Sequence, residues 1–398
     1  MKIKKPALVI VLVMVLFSAQ YIANNPRTPF SSQPSGWPNE YTSNSLNGMI
    51  SKFHQIMIPA YLSSHDYARI LSYASMAYVK TAYELDGGEV SARAAFSMVI
   101  SDISNSPVVA KEFPYPEDDL LAVKSYKYVK NIYSKDNYNF SDKSKVEISQ
   151  NFLDNTDRKL YLYKPPLGHN SELEQSWGNI KTIGENICKV EKPPVKNFVE
   201  LVSKAADVDN IMGNFQREDK DKYSRIMSLV VHFTGAPAHR NEPSRLITKI
   251  IQNVANDSNL TPRLRDEYIR DSIIAVHNAH ILSWYGKYHY NLIHPISLLP
   301  SRQITSALPQ GPSYPSEFAT IGSAIEGVYN RYNLETPIRL EIMGTVTQMA
   351  TSRVYNSIND FVIEFSELPV LTGYNYLFDL DEGYRLGKCV SGIYNEKN

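Results

Sequence analysis

Apolar residues recur at three- and four-residue steps through Tyr67–Glu84 (YARILSYASMAYVKTAYE). That is the period of an α-helix, not the strict alternation of a strand. The Ala and Ser content of the run suits close packing of helix on helix. The same period returns from Ser224, with Phe233–Arg240 as a turn and Ser244–Asn256 as a helix. Thr261 is placed to cap the next helix, with Pro262 at its first position, and that helix runs to about Tyr285. Pro315-Ser316 opens another, with Ser316 as N-cap and Phe318, Ile321 and Ile325 along one face. Leu340–Ile358 reads as the last long helix. Residues 104–200 are less regular, broken by paired prolines at 165–166 and 193–194. No internal repeat is evident. The fold class expected is an all-α helical bundle with little strand.

Composition allows a substantial core and excludes some partners. Of 398 residues, 43% are hydrophobic and 21% charged, as in globular proteins. Lys and Arg together number 41, as do Asp and Glu, so no overall field favours nucleic acid or an anionic surface. The 27 Tyr are read as packing residues.

Lys2, Lys4 and Lys5 precede an apolar run from Ala7 to Ala19, the pattern of an export signal. The expected division is 1–23 as signal peptide or uncleaved anchor, 24–45 as a linker rich in Pro, Ser and Asn, and 46–398 as one helical domain. Cys188 and Cys389 either pair or remain free thiols. In an oxidising compartment, a bond closing so long a loop contributes roughly 3–5 kcal/mol in the chain-entropy model.

Three stretches carry the chemistry: Lys287–Pro295 (KYHYNLIHP), Tyr314–Ala319 (YPSEFA) and Ser352–Asn359 (SRVYNSIN). In order and spacing they resemble the signatures of the vanadium-dependent haloperoxidase and type-2 phosphatidic-acid phosphatase superfamily. That family uses Lys, six residues, Arg-Pro; then Pro-Ser-Gly-His; then Ser-Arg, five residues, His. The likeness spans about Ser224 to Gly387. Tyr67–Glu84 is similar to an early helix of the bacterial haloperoxidases, and Trp177–Pro194 to a connecting region, so the resemblance also implies their helical fold.

Such a site cradles an oxyanion with several donors. The resemblance implies that Lys287, Ser316 and Arg353 keep cradle positions and that His294 and Glu317 occupy two more. His294 replaces an Arg and lacks its bidentate fork. Phe318 and Asn359 stand where the family has its acid–base and nucleophilic or vanadium-bound His. Phe318 cannot move a proton, and Asn359 cannot serve as a phosphoryl nucleophile. Asp379, followed by Gly383 and Gly387, resembles the carboxylate that orients the second of those His, although about fifteen extra residues separate it from Asn359. The nine His all lie at or before position 294, so only one from an earlier helix could replace either.

Glu317 has two readings. It turns inward to pair with Lys287 or Arg353, or it sits in the first helical turn facing solvent, where the helix dipole favours a carboxylate. His277 and His280 are read as structural histidines without a metal partner, and no metal ligand set is expected. No Gly-x-Ser-x-Gly elbow, Walker loop or dinucleotide motif is present.

The reading that results is an exported protein with a degenerate oxyanion pocket and no catalysis, binding a partner protein or a small oxyanion. No cofactor is expected, with vanadate or phosphate as the ligands such a pocket would take. Its rival is an active phosphatase or haloperoxidase in which His294, Glu317 or Asp379 does the acid–base work. A membrane is expected only through an uncleaved N-terminal segment, which would make a tethered structural protein.

Overall fold

A computed structural model of the chain describes residues 45–57, 63–104, 106–136, 162–163, 176–185, 187–218, 229, 242–299, 311–342 and 351–394. The expected export segment, nearly all of the linker and the turn at Phe233–Arg240 lie outside the described residues. So does most of the stretch from Ser224 to Arg240.

Helices dominate. In chain order they are α1 (Leu46–Met57), α2 (Ser64–Val79), α3 (Gly88–Ser104), α4 (Pro107–Glu112), α5 (Leu120–Tyr133), α6 (Phe198–Glu218), α7 (Glu242–Asp257), α8 (Pro262–Tyr290), α9 (Glu317–Arg331), α10 (Ile358–Leu371) and α11 (Leu377–Val390). The expected all-α class therefore holds. A π-helical turn, Lys80–Glu84, extends α2 to the end of the run read from the sequence.

The long helix α8 organises the site. Thr261 accepts from the Leu264 backbone N–H as N-cap, Pro262 takes the first turn, and Asn291 ends the helix in the left-handed region at φ 49°. It is buried on nearly every face, from Tyr268 to Tyr290, and packs against α2, α7, α9 and α11. A helix so enclosed must satisfy its polar side chains internally. Asn278 does so with both amide atoms: its Oδ1 accepts from Ile183 N and its Nδ2 donates to Ile183 O, each at 2.9 Å. This pins the segment around residue 183 to α8.

Helices α9 and α11 approach closely because α11 carries Gly383 and Gly387. A Cβ on Gly387 would stand 2.4 Å from the Thr320 carbonyl oxygen, and one on Gly383 would stand 2.6 Å from Ala319 Cβ. Cys188 and Cys389 are disulfide-bonded, tying the segment before α6 to the end of α11.

One expected element is wrong. Leu340–Ile358 is not a helix: Ile338–Ile342 (β1) pairs antiparallel with Thr351–Tyr355 (β2), Leu340 facing Arg353 in register. Ile338 and Leu340 are buried while Arg339 between them is exposed, the alternation of a strand. β-Branched and aromatic residues such as Ile338, Val354 and Tyr355 favour that pleat. Residues 343–350 between the strands lie outside the described set.

Candidate functional site

The C-terminal end of α8, the loop before α9 and the loop before α11 meet at one place. Lys287 lies in the last turn of α8, inside the helix rather than past its end, and is buried. Its ammonium donates to the carbonyl oxygens of Pro312 at 2.7 Å and Ser313 at 3.1 Å. Burial lowers its pKa, and the negative charges of Glu317 and Asp379 work against that shift.

His294 is buried beside it. Its Nδ1 lies 2.7 Å from Tyr374 O, and its Nε2 lies 2.9 Å from Gly311 O. Burial pushes its pKa down to about 4, against the pull of the Tyr374 carbonyl. Both nitrogens thus face carbonyl oxygens, and neither is turned to an anion.

Ser316 caps α9 as expected, its hydroxyl accepting from Ala319 N at 3.4 Å while its own N–H donates to Asp379 O at 2.9 Å. Asp379 is fully buried in the first turn of α11. Its Oδ2 accepts from Asn375 Nδ2 at 2.8 Å, from Tyr376 N at 2.9 Å and from the Ser313 hydroxyl. Oδ1 is buried without a hydrogen-bond partner. Burial raises the carboxyl pKa to about 6, although all these donors pull it down.

Lys287, His294, Ser316 and Asp379 therefore come together as the resemblance implies. Arg353 and Asn359 do not join them. Arg353 projects from β2 and pairs with Glu364 of α10, its guanidinium 5.2 Å from the Tyr355 ring centre. Asn359 is an exposed residue in the first turn of α10. The 14 residues of α10 account for most of the excess length between Asn359 and Asp379. What Asp379 holds is Asn375, which sequence reasoning missed. The signal was present in its position four residues before Asp379 and eight before Gly383.

Phe318, partly buried, stacks on Phe365 of α10, ring centres 4.7 Å apart, and packs against the core.

Glu317 takes neither of its two expected positions. Its Oε1 accepts from His280 Nδ1 at 2.6 Å and from Trp284 Nε1 at 2.8 Å, with His65 Nε2 at 3.3 Å. Burial disfavours the charged carboxylate, but the His280 and His65 imidazoles beside it together hold its pKa well below the usual range. His280 continues the chain, its Nε2 lying 2.9 Å from Ser244 Oγ. His280 thus has a polar partner at each ring nitrogen. His277 does not: both of its ring nitrogens are buried without a hydrogen-bond partner.

No protein-family model and no curated protein matches the chain. Solved structures do. The first bacterial vanadium-dependent iodoperoxidase superposes with a TM-score of 0.65 at 15% identity, covering 88% of this chain and 96% of that one. A holo-type bacterial vanadium-dependent chloroperoxidase gives 0.63 at 12% identity over 84% and 92% of the two chains. The apo-type chloroperoxidase gives 0.62 at 12% identity, over 86% and 97%. The chain has the helical fold of these bacterial haloperoxidases, as its sequence motifs implied.

Proposed function

We propose that this chain is a non-catalytic, exported binding protein built on the haloperoxidase fold. One observation carries the reading: the groups expected to receive an oxyanion are engaged by the protein itself. Lys287 donates to two loop carbonyls, His294 lies between two more, and Arg353 pairs with Glu364 away from the cradle. Ser316 is occupied as a cap, and Asp379 adds a buried carboxylate beside Lys287.

Vanadate, the group on which those relatives depend, does not fit these residues. It needs converging donors and a ligand to the metal. Here the converging groups are carbonyl oxygens and a carboxylate, and Asn375, the residue beside Asp379, spends its amide on Asp379 and Ser313. A phosphomonoester meets the same obstacle. No catalytic step follows from this arrangement.

Two features support binding and export. A cleft of about 670 Å³, within the size range of small-molecule sites, lies between residues 178–190 and the Ile281–Tyr285 face of α8, with Lys181 and Lys189 on its wall. The Cys188–Cys389 bond is the kind that persists in oxidising compartments. Among the described residues no helix is long and apolar enough to cross a membrane.

The test is turnover. Purified protein, supplied with vanadate, peroxide and halide or with a phosphomonoester, should show no activity above background. Turnover that disappears in Lys287→Met would overturn the reading.

A second reading, an enzyme of altered chemistry, draws on the hydrogen-bond chain Glu317–His280–Ser244, with its carboxylate, imidazole and hydroxyl in order. Ser244 is 1% exposed, which leaves its hydroxyl no open approach among the described residues. This reading requires a turnover that His280→Ala removes.

A further inference from the structure

We infer that His65, His280 and Glu317 form a binding site for a divalent transition-metal ion, with Zn²⁺ as the ion whose preferences it matches best. Three helices deliver the ligands: His65 from the first turn of α2, His280 from the middle of α8, and Glu317 from the first position of α9. Their ligand atoms all lie within 4.8 Å of one another. The imidazoles approach Glu317 Oε1 at 2.6 Å from His280 Nδ1 and 3.3 Å from His65 Nε2.

Tetrahedral zinc with bonds of about 2.0–2.1 Å places neighbouring ligand atoms about 3.3 Å apart. The His65–Glu317 spacing already equals this, and the His280–Glu317 spacing needs to open by less than an ångström. Two imidazoles and a carboxylate are a ligand set for zinc and its neighbours, not for calcium or magnesium, which take oxygen. The fourth position is left for water or an exogenous ligand.

A second observation points to a ligand. His65 is 8% exposed, and its buried Nε2 makes no well-formed hydrogen bond, meeting the Glu317 carboxylate at 3.3 Å. With the proton on Nδ1, a nitrogen so placed has a lone pair to give to an ion.

The surroundings also suit coordination. When His280 Nδ1 gives up its proton to take an ion, Ser244 Oγ, 2.9 Å from Nε2, is placed to accept from Nε2–H, the kind of partner that usually orients a metal-bound imidazole. Trp284 Nε1–H steadies Glu317 at 2.8 Å. The rings of Trp177 and Trp284 wall His65 at centroid distances of 4.8 and 4.4 Å. The charge of Glu317 reaches Lys287, whose ammonium is turned to the Pro312 and Ser313 carbonyls. Binding requires any proton held between His280 and Glu317 to leave for solvent, so affinity rises with pH.

The site does not rest on the cradle being closed. An active oxyanion site and a metal site are compatible, so loss of one reading leaves the other standing.

The experiment is titration of the metal-stripped full chain with Zn²⁺ by calorimetry, followed by Co²⁺ as a spectroscopic probe. One equivalent should bind. Co²⁺ should give visible d–d absorption and quench the fluorescence of Trp177 and Trp284, both effects reversed by Zn²⁺. His65→Ala, His280→Ala and Glu317→Gln should each weaken binding at least tenfold, while His289→Ala on the same helix should not. Absence of binding by the folded wild-type chain would overturn the inference. So would Zn²⁺ binding undiminished in His65→Ala. If a variant fails to fold, the Co²⁺ spectrum and quenching of the wild-type chain decide: an octahedral, oxygen-ligated spectrum without quenching contradicts the site.

Discussion

Asn375 donates its amide to the Asp379 carboxylate at 2.8 Å, four residues along the chain and just ahead of α11. The resemblance implies that Asp379 orients an imidazole at this point. An amide in that place keeps the hydrogen bond and fixes the loop, but supplies neither a nucleophile for phosphorus nor a ligand for vanadium. The same amide also donates to Ser313 O at 2.7 Å, so the loop that Lys287 grips is held from both sides. These hydrogen bonds join the ends of α8, α9 and α11.

Asp379 makes that joint sensitive to pH. Its folded pKa is raised to about 6 from 3.8, so the folded chain binds the proton more tightly than the unfolded one. The associated stability is full below pH 3.8 and is lost as pH rises through 6. Over about two pH units this amounts to roughly 3 kcal/mol. Asp379→Asn should therefore gain on the wild type by that order between pH 4 and pH 7, measured by denaturant unfolding. A difference that stays flat with pH would contradict the assignment.

His277 should be replaceable at a profit in stability. It is fully buried, and neither nitrogen has a partner. An unpaired buried polar group costs about 1–3 kcal/mol. Burial also holds its pKa well below 6.5, so the wild type loses stability as pH falls below 6.5, where the unfolded imidazole takes up a proton and the folded one does not. His277→Leu should raise the unfolding free energy at pH 7 and raise it further at pH 5.

Gly387→Ala should do the opposite. Its added methyl meets the Thr320 backbone carbonyl at 2.4 Å and Ser323 Cβ at 2.7 Å, and backbone cannot swing aside. Overpacking of this kind costs about 1–3 kcal/mol, occasionally more. A thermal melt of the variant should shift down. Gly392→Ala, where the nearest atom stands at 3.4 Å, should barely move it.

The Cys188–Cys389 bond closes a separation of 201 residues. Removing it by Cys188→Ser with Cys389→Ser should lower stability by about 3–5 kcal/mol, chiefly by freeing the unfolded chain. Denaturant midpoints of the oxidised wild type and the double variant provide the comparison.

The helices were legible where caps and periodicity agreed: Thr261-Pro262 starting α8, Ser316 starting α9, and the small residues of Tyr67–Val79. Lys287, Ser316 and Asp379 were legible because their spacing belongs to single helices and short loops. The third stretch was not. Its Ser-Arg falls on β2, and α10 is interposed before Asn375, so the residue that meets Asp379 is Asn375 and not the Asn359 of the contiguous string. Glu317 was misjudged for a different reason. Its partners His65 and His280 come from helices 252 and 37 positions earlier, as 317 − 65 and 317 − 280 show, and no local pattern encodes that meeting. The meeting of His280 with a carboxylate was hidden for the same reason.

The central claim is that the cradle's donors are consumed by the protein itself. Calorimetric titration of the purified chain with orthovanadate, beside Lys287→Met, tests it most directly. The account predicts no saturable heat from either protein, with phosphate behaving in the same way. Saturable binding by the wild type that vanishes in Lys287→Met would mean that Lys287 can leave the Pro312 and Ser313 carbonyls for an oxyanion, and would contradict it.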